Sequence, residues 1–232
     1  MSHNMKIFIG YDSRETVAWH VLTHSIMRRA SRPVEIVPLV QPALRAAGLY
    51  TRERGTLEST EFSMTRFLTP HLSGYTGCSL FMDSDMLVLC DLTRLEFSDT
   101  ATVSVAQHDY TPKTATKFLG QEQTKYPRKN WSSFMLFKNS QCCALSPEYV
   151  NTAPALDLHR FKWVKSDWAI GSLPLEYNHL VGEYGPNPKA KVLHFTLGGP
   201  WFEESADCDH ADLWREERDH MLGRRSSVAM TV

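Results

Sequence analysis

Two carboxylates interrupt an otherwise apolar stretch of the chain, CSLFMDSDMLVLCDL (Cys78 to Leu92). Ser79 to Leu89 has the composition of a strand buried on both faces, yet Asp83 and Asp85 lie in its middle. Moving an unpaired carboxylate out of water is costly, so a compensating partner is required. The pattern therefore predicts a cation, hydrogen-bond donors or a solvent-filled site where this strand ends.

The spacing of Asp83 and Asp85 limits how they could hold a metal ion. In an extended chain they share one side while Ser84 faces the other, with their Cβ atoms about 6.6 Å apart. We therefore expect one aspartate to bind a cation directly and the other to act through a water or a substrate hydroxyl. Carboxylate sites suit Mg²⁺ or Mn²⁺, which commonly take further ligands from phosphates. Two aspartates that cap a turn are the alternative.

A second D-x-D, Asp207-Cys208-Asp209, serves as an internal control. With this many aspartates, about one such match arises by chance in a chain of this length. The second match lies in a polar segment with no strand before it, and we assign it no function.

Three further residues have both a structural and a functional interpretation. Asp12, with Glu15 three residues on, fits a helix capping box or a ligand contact. Arg66 lies among apolar residues, where a guanidinium extends to water, pairs with a neighbour or binds phosphate. His194 ends the strand-like run KVLHF; a lone histidine is more often a core residue, but the following LGGPW lets backbone approach a ligand.

The elements that would position these residues alternate between strand and helix. A helix is expected from YDSRE to about Ala30, and another over STEFSMTRFLTPHL as far as about Pro70. The alternation predicts an α/β fold with a mixed, mostly parallel central sheet flanked by helices, and ligands beyond the carboxyl ends of its strands. The strands are expected at Lys6–Gly10, Val34–Leu39, within CSLFMDSD, Thr102–Gln107, Ser133–Asn139 and Lys191–Phe195.

Length and composition exclude several classes of protein. The 232 residues predict one domain over 1–232, with 1–5 and 223–232 frayed. A net charge of -1 argues against a nucleic-acid partner. No apolar run has membrane length, and the N-terminus lacks the form of a signal peptide. Five cysteines without paired spacing suggest reduced thiols and a cytoplasmic setting.

Several of these motifs, taken in order, resemble nucleotide-sugar glycosyltransferases of the GT-A fold, most closely glycosyltransferase family 8. The similarity runs through IFIGYDSRETVAWHVLTHSI, STEFSMTRFLTPHL, CSLFMDSDMLVLCDL, NWSSFMLFKN and HFTLGGPW. It implies a retaining transfer of a hexose from a UDP-sugar to a saccharide or other hydroxyl acceptor, with Mn²⁺ or Mg²⁺ as cofactor. The acceptor and the oligomeric state are left open.

The resemblance also implies roles for individual residues. It places an acidic residue of the reacting centre at Asp167 in KSDWAIG and the metal ligands at Asp83, Asp85 and His194. Contacts to the donor sugar fall on Asn130, Ser132 and Ser133. Contacts to the donor nucleotide fall on Gly10, Tyr11, Asp12, Arg14, Arg66, Ser84, Gly198, Gly199 and Trp201.

The chain departs from the family pattern in two places. The family closes with His-x-x-Gly-x-x-Lys-Pro-Trp, whereas HFTLGGPW lacks the lysine that would neutralise the diphosphate and has its glycine one place late. NWSS replaces Asn-Ser-Gly. These departures leave donor identity and stereochemistry open, and they keep a nucleotide-sugar-binding protein without efficient turnover as the alternative function.

Two other enzyme classes fit less well. A haloacid-dehalogenase-type phosphotransferase would carry D-x-D on its first strand with threonine or valine two residues later, where this chain has Leu87. A sugar-nucleotide pyrophosphorylase would have a loop rich in glycine and arginine after the first strand, which YDSRE is not.

Overall fold

A six-stranded sheet lies at the centre of the computed structural model, which describes residues 5–55, 58–96, 98, 100–122 and 126–224. The strands of the described chain are β1 (Met5–Gly10), β2 (Val34–Leu39), β3 (Cys78–Met82), β4 (Met86–Val88), β5 (Val103–Ala106), β6 (Thr116–Lys117), β7 (Gln121–Glu122), β8 (Phe134–Lys138), β9 (Ile170–Leu173), β10 (His179–Leu180) and β11 (Val192–His194). Its α-helices are α1 (Thr16–Arg29), α2 (Gln41–Ala46), α3 (Thr69–Leu72), α4 (Pro147–Thr152), α5 (Ala155–His159) and α6 (Ala211–Met221).

The central sheet has the strand order β2-β1-β3-β8-β5-β9. β1 is parallel to β2 and β3, and β5 is parallel to β9, whereas β8 runs antiparallel to both of its neighbours. The carboxyl ends of β1, β3 and β5 therefore lie at the same edge as the start of β8. The expected mixed, mostly parallel α/β sheet is confirmed.

Alternating side chains of β1 pack on opposite faces of the sheet. Ile7 and Ile9 join Leu22 and Ile26 of α1 in one core, while Phe8 faces a second core. This follows from the two-residue period of a strand, and both faces are apolar because each is covered.

The helix expected from YDSRE to about Ala30 is present as a 3-10 turn over Ser13–Glu15 followed by α1.

The stretch from Ser79 to Leu89 is not one strand, which corrects the expectation from sequence. β3 belongs to the central sheet, whereas β4 belongs to a second sheet of order β10-β11-β4, and the chain bends at 84–85 between them. Both halves are apolar because each is buried in its own sheet. The two aspartates occupy the junction.

The segment 59–72 is also less regular than expected. It consists of turns over 61–64, a 3-10 helix at Thr65–Leu68 and the four-residue α3. Pro70 lies in the first turn of α3. Backbone N–H groups in the first turn have no hydrogen-bond partner within the helix, so the N–H that proline lacks is not needed there. The proline therefore starts the short helix and does not end a long one.

The terminal segments expected to be frayed are only partly visible. Residues 1–4 and 225–232 lie outside the described residues, while Met5 already belongs to β1. No helix among the described residues is long and apolar enough to cross a bilayer.

A buried ionic cluster joins α1 to α6. Glu217 is 2% exposed and accepts hydrogen bonds from Arg28 and Arg29 at 2.7 and 2.8 Å, and its Oε1 lies 2.6 Å from His24 Nδ1. Burial opposes ionisation, yet hydrogen bonds from the two arginines and His24 lower the pKa of Glu217 to about 2. The ionised carboxylate therefore stabilises the contact between the two helices.

Replacing this carboxylate should destabilise the fold in a pH-dependent way. We expect Glu217→Gln to lower the free energy of unfolding by about 2 kcal/mol at neutral pH, because it removes charge-assisted hydrogen bonds. The folded-state pKa is depressed below the ordinary 4.5, so this stabilisation is complete above that pH and is lost toward pH 2. Urea unfolding at several pH values measures it.

Glu216→Gln is the matched control, because Glu216 lies beside Glu217 but is 55% exposed and lies 3.7 Å from His220. Equal stability losses in the two variants, or a Glu217→Gln deficit that persists unchanged at pH 2, would contradict the role of the cluster.

Candidate metal and ligand site

Three possible metal ligands converge at the junction of the two sheets. Asp83 follows β3, Asp85 precedes β4, and His194 ends β11, which pairs with β4 so that His194 lies opposite Met86. One ligand atom from each of the three lies within 4.8 Å of the others. The bend at 84–85 replaces the extended geometry assumed from sequence, so the wide spacing of an extended chain does not limit joint binding.

Arg66 holds the first of these carboxylates in place. Its Nη1 lies 2.8 Å from Asp83 Oδ1 and donates to the Ser132 carbonyl at 2.9 Å. The guanidinium carbon lies 5.3 and 5.1 Å from the ring centroids of Phe62 and Phe81. Of the three interpretations of Arg66 from sequence, the described contacts show pairing with a neighbouring charge.

A hydrogen-bond network determines which nitrogen of His194 carries the proton. Asn178 Nδ2 donates to the carbonyl of Asn130 at 3.2 Å and to Ser133 Oγ at 2.8 Å, which leaves its Oδ1 as an acceptor. That oxygen lies 2.8 Å from His194 Nδ1, so Nδ1 is the protonated nitrogen. In the neutral ring, Nε2 therefore carries a lone pair.

This lone pair faces a carboxylate. His194 Nε2 lies 3.3 Å from Asp85 Oδ1, and two electron-rich atoms at that distance repel unless a cation or a proton lies between them. A buried imidazole whose other nitrogen donates to an amide oxygen is the usual arrangement of a metal-ligating histidine. The donor set therefore fits a divalent cation.

The charge around the site also favours a cation. Glu15 is 1% exposed, and burial together with the charge of Asp85, and more weakly of Asp12 and Asp83, raises its pKa well above 4.5. The three neighbouring carboxylates thus add negative charge to the surroundings of Glu15, beyond the effect of burial. A bound divalent cation would offset it.

The three ligands line a cavity of about 540 Å³, a volume typical of small-molecule sites. Among the described residues of its wall, positive and negative side chains are equal in number, so the charges of these groups balance. The positive groups are Arg52, Arg66, Lys129 and Arg160, and the negative groups are Glu53, Glu58, Asp83 and Asp85.

The residues expected to contact a donor sugar also line this cavity. Asn130, Ser132 and Ser133 lie just before β8, at the edge where β3 ends. Ser133 Oγ donates to the Asn130 carbonyl at 2.7 Å, and Ser132 Oγ lies 2.8 Å from His159 Nδ1. The structure thus brings them together with the three possible metal ligands.

Asp12 and Arg14, expected near the donor nucleotide, bind each other. Asp12 is fully buried and accepts from Arg14 Nε at 2.9 Å, Arg14 Nη2 at 2.6 Å and the backbone N–H of Glu61 at 3.1 Å. Burial opposes ionisation of Asp12, but these bonds lower its pKa. Asp12 also caps the 3-10 turn through the Arg14 N–H at 3.0 Å, so the capping interpretation describes its contacts.

Gly10, Tyr11 and Ser84 likewise lie outside the cavity lining. A Cβ at Gly10 would come within 2.3 Å of the Phe62 ring, so glycine is required there by packing. The hydroxyl of Tyr11 lies 3.1 Å from Thr16 Oγ1. Ser84 is fully buried at the bend between the aspartates.

The glycines of HFTLGGPW have a packing explanation as well. A Cβ at Gly199 would lie 2.1 Å from the Trp201 ring, which itself packs against Phe195 and Trp214 at centroid distances of 5.7 and 5.3 Å. Gly198 has φ 115°, a conformation that favours glycine. None of Gly198, Gly199 and Trp201 is among the residues that line the cavity.

Asp167, expected beside the reacting centre, lies at the surface. Its side chain is 81% exposed and pairs with Arg128 at 2.7 Å, whose hydrogen bond and charge lower the pKa of Asp167. It is not among the residues that line the cavity.

Sequence reasoning missed Asn178, Glu15 and His159. Asn178 lies in LPLEYNHL, which has no motif, and its role depends on segments 16 to 48 residues away. Glu15 was considered only as a capping partner of Asp12. The signal that could have found it is a glutamate one turn from a buried strand end, next to two other carboxylates.

The chain has a close relative of known sequence. No family model matches it. Protein CDI of Arabidopsis thaliana is 50% identical over 223 residues, which cover 92% of this chain and 86% of that protein. The chain belongs to the family of Protein CDI.

The solved structures to which this chain is similar include several glycosyltransferases. The apo bifunctional glycosyltransferase WbbM has a TM-score of 0.63 at 17% identity, covering 97% of this chain, and GlyE of Streptococcus pneumoniae scores 0.60 at 14% identity, covering 96%. The chain spans 52% and 63% of their lengths. The galactosyltransferase LgtC, solved with donor and acceptor sugar analogs, scores 0.54 at 9% identity, with 93% of this chain and 96% of LgtC covered. The fold is therefore of the GT-A type, as the resemblance implied.

The orientation of Asn178 should control metal affinity. Asn178→Ala and Asn178→Asp both remove the donor to Asn130 and Ser133, but only the aspartate keeps an acceptor for His194 Nδ1. We expect Asn178→Ala to weaken Mn²⁺ binding about tenfold and Asn178→Asp to retain it. Calorimetric titration of Mn²⁺ into both folded variants measures this, and equal losses in the two would argue that Asn178 acts only through the fold.

Proposed function

We propose that this protein is a metal-dependent glycosyltransferase that moves a hexose from a UDP-sugar to a hydroxyl acceptor with retention of configuration. The observation that carries the proposal is the convergence of Asp83, Asp85 and His194 in a 540 Å³ cavity at the carboxyl edge of a GT-A-type sheet. The similarity of its motifs to glycosyltransferase family 8 supports the choice of donor and of stereochemistry.

The cation proposed for this site is Mn²⁺ or Mg²⁺. Two carboxylates and one imidazole favour Mn²⁺, because Mg²⁺ prefers ligands that are all oxygen. When bound, the metal would act as a Lewis acid toward a diphosphate and offset charge on the leaving group. Its two positive charges would also be added to a cavity in which the described charges balance, and the resulting positive charge is complementary to a negatively charged diphosphate.

The residues of the chain would position the donor around the metal. Arg66 orients Asp83 through their ion pair, and Asn178 keeps the His194 lone pair directed toward Asp85. Lys129 and Arg160 line the same cavity and would supply the positive charge that the lysine-free HFTLGGPW does not. Asn130, Ser132 and Ser133 would hydrogen-bond the sugar.

No side chain needs to act as a nucleophile in this scheme. The acceptor hydroxyl would attack from the face that the leaving group vacates, which retains configuration. Asp167 has no part in it, because its carboxylate pairs with Arg128 at the surface. The free thiols of all five cysteines support the further proposal of a cytoplasmic location.

Binding of UDP should require a divalent cation. We expect calorimetric titration of UDP to show binding with Mn²⁺ present and affinity at least about tenfold weaker in EDTA, because the metal would bridge the diphosphate to Asp83 and Asp85. Equal affinity under both conditions would exclude this metal bridge. Transfer or hydrolysis of UDP-sugars with Mn²⁺ then separates an enzyme from a protein that only binds them.

Substitutions in the two D-x-D sequences should differ sharply in their effect on UDP binding. We expect Asp85→Asn to abolish Mn²⁺-dependent UDP binding and Asp207→Asn to leave it unchanged, because the Asp207 side chain is 99% exposed and lies 3.6 Å from Arg215 at the surface. Binding assays on both variants, after thermal melts confirm folding, provide the comparison. Loss of binding in Asp207→Asn alone would mean that the wrong pair has been assigned.

His194→Ala separates a ligand from a core histidine. As a ligand, its loss should reduce Mn²⁺-dependent UDP binding strongly while the stability of the metal-free protein changes little. Binding by the wild type should also weaken at acid pH, because protons compete with the metal for Nε2. Unchanged Mn²⁺ affinity in a folded His194→Ala protein would refute the assignment.

A further inference from the structure

A second, smaller cavity of about 230 Å³ adjoins the first. It is lined by residues 108–110, which follow β5, and by residues 126–129, which precede β8. Tyr126 and Lys129 line both cavities. Its volume is less than half that of the first cavity, so it suits a single ring and not a whole nucleotide sugar.

The wall between the two cavities is held by hydrogen bonds. Asn130, which lines the first cavity, donates through Nδ2 to the hydroxyl of Tyr110 in the second at 2.8 Å and to Thr196 Oγ1 at 3.3 Å. Asn130 has φ 61°, in the left-handed region that asparagine adopts more readily than most residues other than glycine. The second cavity therefore has a defined shape at the side that faces the proposed donor.

His108 in this cavity has a buried nitrogen without a partner. The residue is 4% exposed, its Nδ1 lies 2.9 Å from the hydroxyl of Tyr184, and its Nε2 has no hydrogen-bond partner among the described residues. Leaving a buried polar atom unpaired destabilises the fold. Such an atom in the wall of a cavity indicates a polar ligand.

The charge state of His108 limits which ligand this is. Burial, together with the nearby His194 and His179, lowers the pKa of His108 to about 3, so the ring is neutral at physiological pH. A neutral imidazole nitrogen hydrogen-bonds a hydroxyl and does not form an ion pair with an anion.

We infer that the second cavity binds the sugar ring of a saccharide acceptor, with His108 Nε2 hydrogen-bonded to one of its hydroxyl groups. This inference rests on the proposed function, since it identifies the cavity beside the donor site as the acceptor site. The rings of Tyr110 and Tyr126 would provide apolar surface for the C–H face of a sugar, and the backbone of His108 is fixed by Trp131 Nε1, which donates to its carbonyl at 2.7 Å.

The test uses methyl β-D-galactopyranoside and methyl α-D-glucopyranoside as probes of the 232-residue chain. Imidazole nitrogen signals are recorded by ¹⁵N NMR during titration, with Mg²⁺ and UDP present to occupy the first cavity. We expect a saturable shift of the His108 Nε2 signal with at least one probe. No saturable shift with either probe, or a shift that appears only when UDP is absent, overturns the assignment.

Two variants separate a ligand contact from a structural role. His108→Phe keeps an aromatic ring of similar size against Tyr110 and Tyr184 but removes both nitrogens, and we expect it to weaken probe binding at least tenfold. Tyr184→Phe removes the same His108–Tyr184 hydrogen bond but keeps Nε2, and we expect its affinity to stay within threefold of the wild type. Equal losses in the two variants overturn the inference.

A failure of the proposed function would be visible separately. UDP binding with Mg²⁺ is measured on the wild type and on Tyr184→Phe in parallel with the saccharide titration. Absence of UDP binding while the His108 signal responds to saccharide would refute the donor assignment and leave the saccharide site standing. UDP binding without any saccharide response would refute the saccharide site alone.

Discussion

The arrangement of the site depends on the burial of two carboxylates at the point where the chain passes from the central sheet to the second sheet. Asp83 and Asp85 are each 9% exposed, and carboxylates this deeply buried require partners. Arg66 pairs with Asp83, and the Nε2 of His194 lies 3.3 Å from Asp85. The convergence of two carboxylates and an imidazole nitrogen within 4.8 Å is the physical basis for expecting a cation.

The sheets convert this local requirement into a site. Since β8 runs antiparallel between β3 and β5, its first residues meet the last residues of both neighbours, and segments 83–85, 107–110 and 130–133 come to one edge. The second sheet adds His194 through the pairing of β11 with β4. The three possible metal ligands and residues 130–133 therefore stand at strand ends, whose positions are held by ladder hydrogen bonds.

Packing and chemistry compete as explanations for the same residues. Gly10 and Gly199 lie in segments that resemble motifs of nucleotide-sugar enzymes, yet each is required because an aromatic ring, Phe62 or Trp201, occupies the space of a Cβ. Asp12 likewise uses its carboxylate to hold Arg14 and the backbone of Glu61. These residues shape the elements around the cavity, whereas those in its wall come largely from other segments.

The sequence by itself determined the α/β class, five of the strands nearly to their limits and the importance of Asp83 and Asp85, because these depend on local periodicity and on the cost of burying charge. It could not reveal that the Ser79–Leu89 run divides between two sheets, since both halves are apolar on both faces. Nor could it reveal that Asn178 orients His194, that Asp167 pairs with Arg128 at the surface, or that His108 Nε2 has no hydrogen-bond partner among the described residues. Those facts depend on strand register and on contacts between distant segments, which only tertiary packing decides.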